Sequence, residues 1–240
     1  TGSGKSTTLY ATLGDVAKPE INIITVEDPV EFRMRGINQV QVNNKAGMTF
    51  AAALRSILRA DPDVVLIGEI RDQETANIAI EASLTGHLVL STLHTNDAPS
   101  AVTRLTEMGV EPFLLSSSLA AVMAQRLARR LCKKCKRQDT ATEAELRTLG
   151  VPHMPDTPLP TIWRPVGCRE CANTGYSGRV AIQQVMGVDS TMEDLIARGA
   201  TSIDIDKAAK EQGMTTLRKD GWQKALQGIT SVEEVLRVTV

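Results

Sequence analysis

The sequence predicts an α/β fold: a parallel sheet covered by helices, then a four-cysteine module, then a small helical C-terminal region. Three observations carry this. The chain opens on TGSGKST, a glycine-rich loop that ends in Lys5-Ser6 and runs directly into a helical pattern. Short β-branched runs then alternate with segments of helical apolar spacing, as in sheets covered on both faces. Past residue 131 the texture changes to two C-x-x-C pairs around a proline-rich stretch, and from residue 191 it turns helical again. Expected boundaries are residues 1–131, 132–188 and 189–240.

The opening loop is most of a phosphate-binding motif, G-x-x-x-x-G-K-[ST]. The glycine that begins the motif would lie upstream of Thr1, so the chain reads as part of a longer protein whose feeding strand is missing. In such loops the backbone around Gly2, Ser3 and Gly4 closes on phosphate oxygens. Lys5 brings an ammonium to the outer phosphates, Ser6 offers its hydroxyl to Mg²⁺, and Thr7 continues the turn. A glycine- and serine-rich linker is the competing reading. The Lys-Ser pair and the helix expected over residues 7–16, whose N-terminus favours an anion, argue against it.

Strands follow at residues 21–26, 39–42, 64–67 and 88–92. Helices are expected over residues 50–60, 72–84 and 98–108. With the loop at its start, this alternation reads as a RecA-like P-loop core. In open α/β sheets ligands sit at the carboxyl ends of strands. Ile23-Ile24-Thr25-Val26-Glu27-Asp28 and Val64-Val65-Leu66-Ile67-Gly68-Glu69 both place acids there. Glu27 and Glu69 are therefore candidates to hold metal and direct the attacking water. Gly68 stands where many P-loop proteins carry a metal-binding Asp, which leaves Ser6, Glu69 and the Glu27/Asp28 pair as alternative metal contacts. His94 follows the last strand. It either senses the terminal phosphate or is a surface histidine in a capping loop with Asn96 or Asp97 as the cap. Arg71 either reaches nucleotide or a subunit interface, or pairs with Asp72 or Glu74.

Four ordered blocks, TGSGKSTTLYA, ITVEDPVEF, ILRADPDVVLIGEIRD and ASLTGHLVLSTLHTNDA, resemble the secretion ATPases of type II secretion and type IV pilus assembly. The resemblance covers nearly the whole chain. It implies a RecA-like ATPase domain that works as a hexamer with ATP and Mg²⁺. It also implies a cytoplasmic position, held at the inner membrane through platform proteins. It assigns a phosphate loop to residues 2–7, an acidic box to Glu27 and Asp28, an atypical Walker B to Glu69 and a histidine box to residues 87–94. Glu27 and Glu69 become the acids of hydrolysis, His94 a functional residue, and Gly68 expected, because the family's own strand ends in Gly-Glu.

Cys132-Lys-Lys-Cys135 and Cys168-Arg-Glu-Cys171 form two knuckles that suit one tetrahedral Zn²⁺ with every position filled by thiolate, hence structural. Disulfides are the competing reading, disfavoured in a cytosolic nucleotide-binding protein. The tetrad resembles that of assembly-type motors, which retraction-type motors generally lack. The basic run at residues 125–137 reads as a helix end that offsets the Zn–thiolate charge or docks an acidic partner. Five of the ten prolines, Pro152, Pro155, Pro158, Pro160 and Pro165, make the stretch between the knuckles extended.

Composition excludes several classes. Net charge is −1, and the chain has two Trp, two Tyr and three Phe, which argues against a nucleic-acid surface. No apolar run approaches a membrane span. The expected function is an ATP-driven motor of type II secretion, with type IV pilus extension as the alternative. A DNA-directed RecA-like ATPase and a domain that only binds a partner are the readings from other classes.

Overall fold

The computed structural model describes residues 2–154 and 156–239. Thr1, at the start of the phosphate loop, Pro155, in the proline-rich stretch, and Val240 lie outside the described residues. The chain forms two compact units. One is made of Lys5–Val122 and Met186–Glu211, the other of the residues up to Gly4, Met123–Val185 and the segment from Gln212 onward.

The chain begins with α1 (Lys5–Val16), β1 (Ile23–Glu27), β2 (Asn38–Gln41), α2 (Phe50–Ile57), β3 (Val64–Ile67), α3 (Gln73–Leu84), β4 (Leu88–Ser91), α4 (Pro99–Glu107) and α5 (Pro112–Ser118). The strands form one parallel sheet in the order β2-β1-β3-β4. β1 and β3 are central and buried throughout, which is why β3 reads as an uninterrupted apolar run and β1 is apolar apart from Thr25 and Glu27. Leu13 and Tyr10 of α1 pack on Ile23, Val64 and Leu66 in a buried cluster. The helix starts are local chemistry. Thr49 accepts from the Ala52 N–H and Asp72 from the Thr75 N–H, caps that contribute about 1 kcal/mol each. The helix expected over residues 50–60 ends at Ile57 and tightens into a 3-10 turn over Leu58–Ala60, where Asp61 takes a left-handed φ of 49°.

Beyond α5 come β5 (Ala121–Leu131), β6 (Arg137–Thr140), α6 (Glu143–Leu149), β7 (Thr161–Arg164) and β8 (Tyr176–Gly187). β5 pairs with β8, and β6 with β7 in antiparallel register. The residues before the first knuckle, read from sequence as a helix end, are thus the long strand β5. Its buried members Ala124, Gln125, Ala128 and Leu131 follow no strict alternation, and Arg126, Arg129 and Arg130 between them give the run a basic texture. The proline-rich stretch is irregular up to β7, and α6 lies ahead of it, opened by a Thr142–Glu145 capping box.

The helices α7 (Ser190–Ala197), α8 (Ser202–Glu211), α9 (Leu217–Leu226) and α10 (Val232–Val238) complete the chain. They divide between the units. α7 packs on α5 and α8 on α4. Trp222 and Ala225 of α9 and Val232 and Val235 of α10 close a core with Ala128, Leu146, Ile162 and Ile182. Among the described residues no helix is long and apolar enough to cross a membrane.

Candidate functional site

The opening loop has the backbone its glycines allow. Gly2 and Gly4 take left-handed φ of 77° and 86°, and helix begins at Lys5. A Cβ on Gly4 would fall 2.9 Å from Nε2 of Gln125, so both conformation and space require glycine there. That amide donates to the Ser3 carbonyl at 2.8 Å, and Gln183 donates in turn to Oε1 of Gln125 at 3.1 Å. Two glutamines from β5 and β8 therefore brace the loop. Lys5, Ser6 and Thr7 occupy the first turn of α1, where backbone N–H groups have no partner within the helix and an anion is favoured.

Glu27 and Glu69 sit at the carboxyl ends of neighbouring strands. β1 and β3 pair Val26 with Ile67, and the Gly68 N–H donates to the Val26 carbonyl at 2.8 Å. A Cβ on Gly68 would lie 3.3 Å from both Glu27 Cα and the Val26 carbonyl oxygen. Glycine thus keeps the two strand ends together where an Asp would push on backbone.

The two carboxylates have different surroundings. Glu27 is 4% exposed. Thr25 Oγ1 donates to its Oε1 at 2.6 Å, Gln39 Nε2 to the same oxygen at 3.2 Å, and Tyr10 Oη to Oε2 in a short hydrogen bond. Glu69 is held by charge. Arg71 grips Oε1, and His94 Nε2 lies 3.0 Å from Oε2. The Arg71 guanidinium holds the Glu69 carboxyl below the usual carboxylate range against the opposing effect of burial, with His94 adding to the effect. Arg71 pairs neither with Asp72, which caps α3, nor with Glu74, which pairs with Arg55.

β4 brings His94 to the same edge. Thr92 Oγ1 donates to the Gly68 carbonyl at 2.8 Å, and the Ile70 N–H donates to the Thr92 carbonyl at 3.0 Å. Asp97 accepts from the Ser100 N–H at 2.8 Å, so Asp97 caps while His94 remains with Glu69. Helix α1 runs antiparallel to β1. Tyr10 meets Glu27 at the strand's carboxyl end, and Leu13 packs near its start. Lys5 precedes Tyr10 by about 7.5 Å of helix at 1.5 Å per residue, and so projects past that edge.

The four cysteines form a second cluster, with all sulfur atoms within 4.8 Å of one another. Cys132 and Cys168 are 3.9 Å apart, and Cys135–Cys171 and Cys168–Cys171 are 3.8 Å apart. A disulfide needs about 2.05 Å. A tetrahedron with metal–sulfur bonds of about 2.3 Å has edges of about 3.8 Å, so the cluster fits one tetrahedral ion. The Gly167 N–H donates to Cys135, and the Cys168 and Gly175 N–H groups to Cys171, at 3.2–3.3 Å. Burial pushes the Cys171 thiol up, but the N–H donors of Cys168 and Gly175 prevail and bring it to about 6. Nearby basic residues have local partners. Arg129 pairs with Glu234, and Lys136 lies 4.5 Å over the Trp163 ring.

Glu27, Glu69 and His94, singled out from sequence, share one sheet edge. Sequence reasoning missed Tyr10, Thr25, Gln39, Gln125 and Gln183. Gln39 and Gln125 have no signal in one sequence. Tyr10 did, because it lies on the face of α1 that meets the sheet.

Comparison with known proteins places these features. The family model described as "Type II/IV secretion system protein" matches residues 1–237. "Type II secretion system protein E" of Aeromonas hydrophila is 53% identical over 239 residues, 100% of this chain and 47% of that protein. "Type IV pilus assembly ATPase PilB" of Thermus thermophilus is 51% identical over 240 residues, 100% of this chain and 27% of that protein. The chain thus spans half or less of the length of these curated relatives. The crystal structure of "the Pilus Retraction Motor PilT and Bound ADP" superposes with TM-score 0.72 at 26% identity, covering 99% of this chain and 58% of that one.

Proposed function

The chain belongs to the type II/IV secretion system protein family, and from that premise we propose that it is the ATP-hydrolysing part of a motor that drives subunits of a secretion or pilus machine. One observation carries the proposal. Glu27, Glu69 and His94 meet at the carboxyl edge of one parallel sheet, and the helix that opens on the phosphate loop projects past the same edge.

In this reading ATP is the substrate. Backbone N–H groups of residues 2–7 bind its phosphates, Lys5 neutralises the outer ones, and Ser6 with Glu69 holds Mg²⁺. The ion supplies charge neutralisation as the terminal phosphoryl group leaves. Glu69, paired with Arg71, would orient the attacking water. His94 reads the terminal phosphate through its contact with Glu69. Glu27 contributes a fixed negative charge beside them. The cysteine cluster binds one structural Zn²⁺.

The motor works as a hexamer, peripheral to the inner membrane and held by platform proteins. Type II secretion is the preferred machine. Relatives named for it are 51–55% identical and those named for pilus assembly 51% and 52%, ranges that overlap. Those last values keep pilus extension as the second reading. The family assignment leaves the DNA-directed reading without support.

The test is steady-state ATP turnover by the protein at full native length, with Lys5→Ala and Glu69→Gln. Loss of nucleotide binding in the first and of turnover alone in the second is expected. Unchanged turnover in both would remove the reading.

A further inference from the structure

The two acids at the sheet edge are held by opposite chemistry. Glu69 has Arg71 and His94. Glu27, among the described residues, has a phenol, a hydroxyl and an amide, none of them cationic. A buried carboxylate without a cation is costly and persists only when neutral donors satisfy its oxygens. An apolar side chain would pack the same space at lower cost. The arrangement therefore fixes the Glu27 carboxyl at a set position, and the donors define that position.

We infer that Tyr10 is a positioning residue of the ATP-cleaving edge, fixing the Glu27 carboxylate to the helix that presents Lys5. This rests on the reading above and deepens it. Tyr10 is 4% exposed, and its ring stands edge-on to Phe32 with centroids 4.3 Å apart. Its oxygen makes two bonds. It donates to Oε2 of Glu27 and accepts the Glu31 N–H at 3.2 Å. One atom of α1 thereby holds both ends of the segment that follows β1, with Asp28 between them. Burial, with the Glu27 carboxylate beside it, pushes the phenol up to about 12, so it remains a donor across any working pH.

The consequence is mechanical. Lys5 and Tyr10 lie on one continuous helix, so a displacement of α1 when phosphates fill the loop passes through the phenol to Glu27 and to the Glu31 backbone. Thr25 and Gln39 hold the other carboxylate oxygen from the sheet side. The carboxylate is thus suspended between helix and sheet. Loss of the helix side leaves it anchored but displaced, which lowers the rate of cleavage and leaves phosphate binding in place.

The test is Tyr10→Phe in the protein at full native length, assayed well below its melting temperature. The ring and its contact with Phe32 remain, and only the oxygen is lost. Turnover is expected to fall roughly ten- to a hundredfold, in keeping with small misplacements of catalytic groups, while affinity for a fluorescent ATP analogue stays within about twofold. Thr25→Val, which removes a donor to the other oxygen, is expected to act in the same direction and carries the test if Tyr10→Phe does not fold. Native turnover in Tyr10→Phe, or parallel loss of turnover and binding, would overturn the inference. Lys5→Ala separates this from failure of the ATPase reading. If Lys5→Ala abolishes binding while Tyr10→Phe turns over normally, only the role of Tyr10 falls. If Lys5→Ala turns over normally, ATP is not cleaved at this loop and the site reading on which the inference rests falls; if the native protein shows no turnover, the ATPase reading falls.

Discussion

Nε2 of His94 lies 3.0 Å from Oε2 of Glu69, and Arg71 occupies the other oxygen of the same carboxylate. Glu69 is therefore engaged on both sides, and a metal or its water must share or displace one of these partners. Since Arg71 holds the carboxyl below its usual range, the acid stays ionised at any pH where the protein works. Glu69→Gln is expected to cut turnover by about two to three orders of magnitude with nucleotide binding retained, as for loss of charge stabilisation in a transition state. His94→Ala is expected to lower turnover about tenfold. It should barely move the melting temperature, because His94 is mostly exposed and surface pairs contribute under about 1 kcal/mol. A His94→Ala protein with native turnover would remove His94 from the reaction.

The sulfur spacing of the cysteine cluster makes its own prediction. Sulfurs 3.8–3.9 Å apart are preset for a tetrahedral ion. Elemental analysis of the native protein is expected to find about one Zn per chain. Cys171→Ser should lose the metal, because that sulfur also takes the N–H groups of Cys168 and Gly175. Metal binding and local folding are coupled in such modules, so Cys171→Ser should also open β5–β8 and its neighbours to proteolysis. Metal-free native protein with the same protease resistance would refute the zinc assignment.

Much of this was legible in the sequence where one force dominated. β1 and β3 are buried on both faces, so their apolar runs announced them, and the acids that follow marked the edge. The two knuckles declared themselves by spacing alone. β5 was not legible, because its buried residues Ala124, Gln125, Ala128 and Leu131 do not alternate and its arginines serve local partners such as Glu234. β8 carries Ser177, Gly178, Arg179, Gln183 and Gln184, a composition that hides a strand whose buried members Ile182, Gln184 and Met186 include a glutamine. The support of Glu27 escaped for another reason. Tyr10, Thr25 and Gln39 come from a helix and two strands, and only the register of the sheet brings them to one carboxylate.

Glu234 offers a pH test independent of catalysis. Its side chain is 1% exposed and accepts from the Arg129 N–H and guanidinium and from the Arg237 guanidinium. Burial pushes the carboxyl up, but Arg237 and Arg129 prevail and hold it at about 2. A carboxyl lowered on folding stabilises the protein above its unfolded value of 4.5, and that contribution fades as pH falls toward 2. Glu234→Gln is expected to lose about 3 kcal/mol at pH 7, since it leaves two arginines facing a neutral group. Urea titrations at pH 7 and pH 3 check this. The gap between native and variant should narrow at the lower pH, and an equal gap at both would sink the argument.

Gly68 and Gly14 form a matched pair for the last prediction. Gly14 lies exposed in the body of α1, and a Cβ there would meet nothing within 4 Å. Gly14→Ala is expected to stabilise by about 0.5–1 kcal/mol through helix propensity alone and to leave turnover unchanged. At Gly68 a Cβ falls 3.3 Å from Glu27 Cα and from the Val26 carbonyl oxygen, both backbone atoms of the neighbouring strand. Strand β1 must then give by a few tenths of an ångström, and its carboxyl end carries the acid that Tyr10 and Thr25 hold in place. Gly68→Ala is expected to cost about 1–2 kcal/mol as local overpacking. It should also lower turnover more than nucleotide affinity, because the displacement falls on Glu27 and spares the phosphate loop. Melting curves and turnover on the two variants together decide it. A Gly68→Ala protein that behaves like Gly14→Ala would show that the strand ends tolerate a side chain, and the close approach of β1 to β3 would then have no part in placing Glu27.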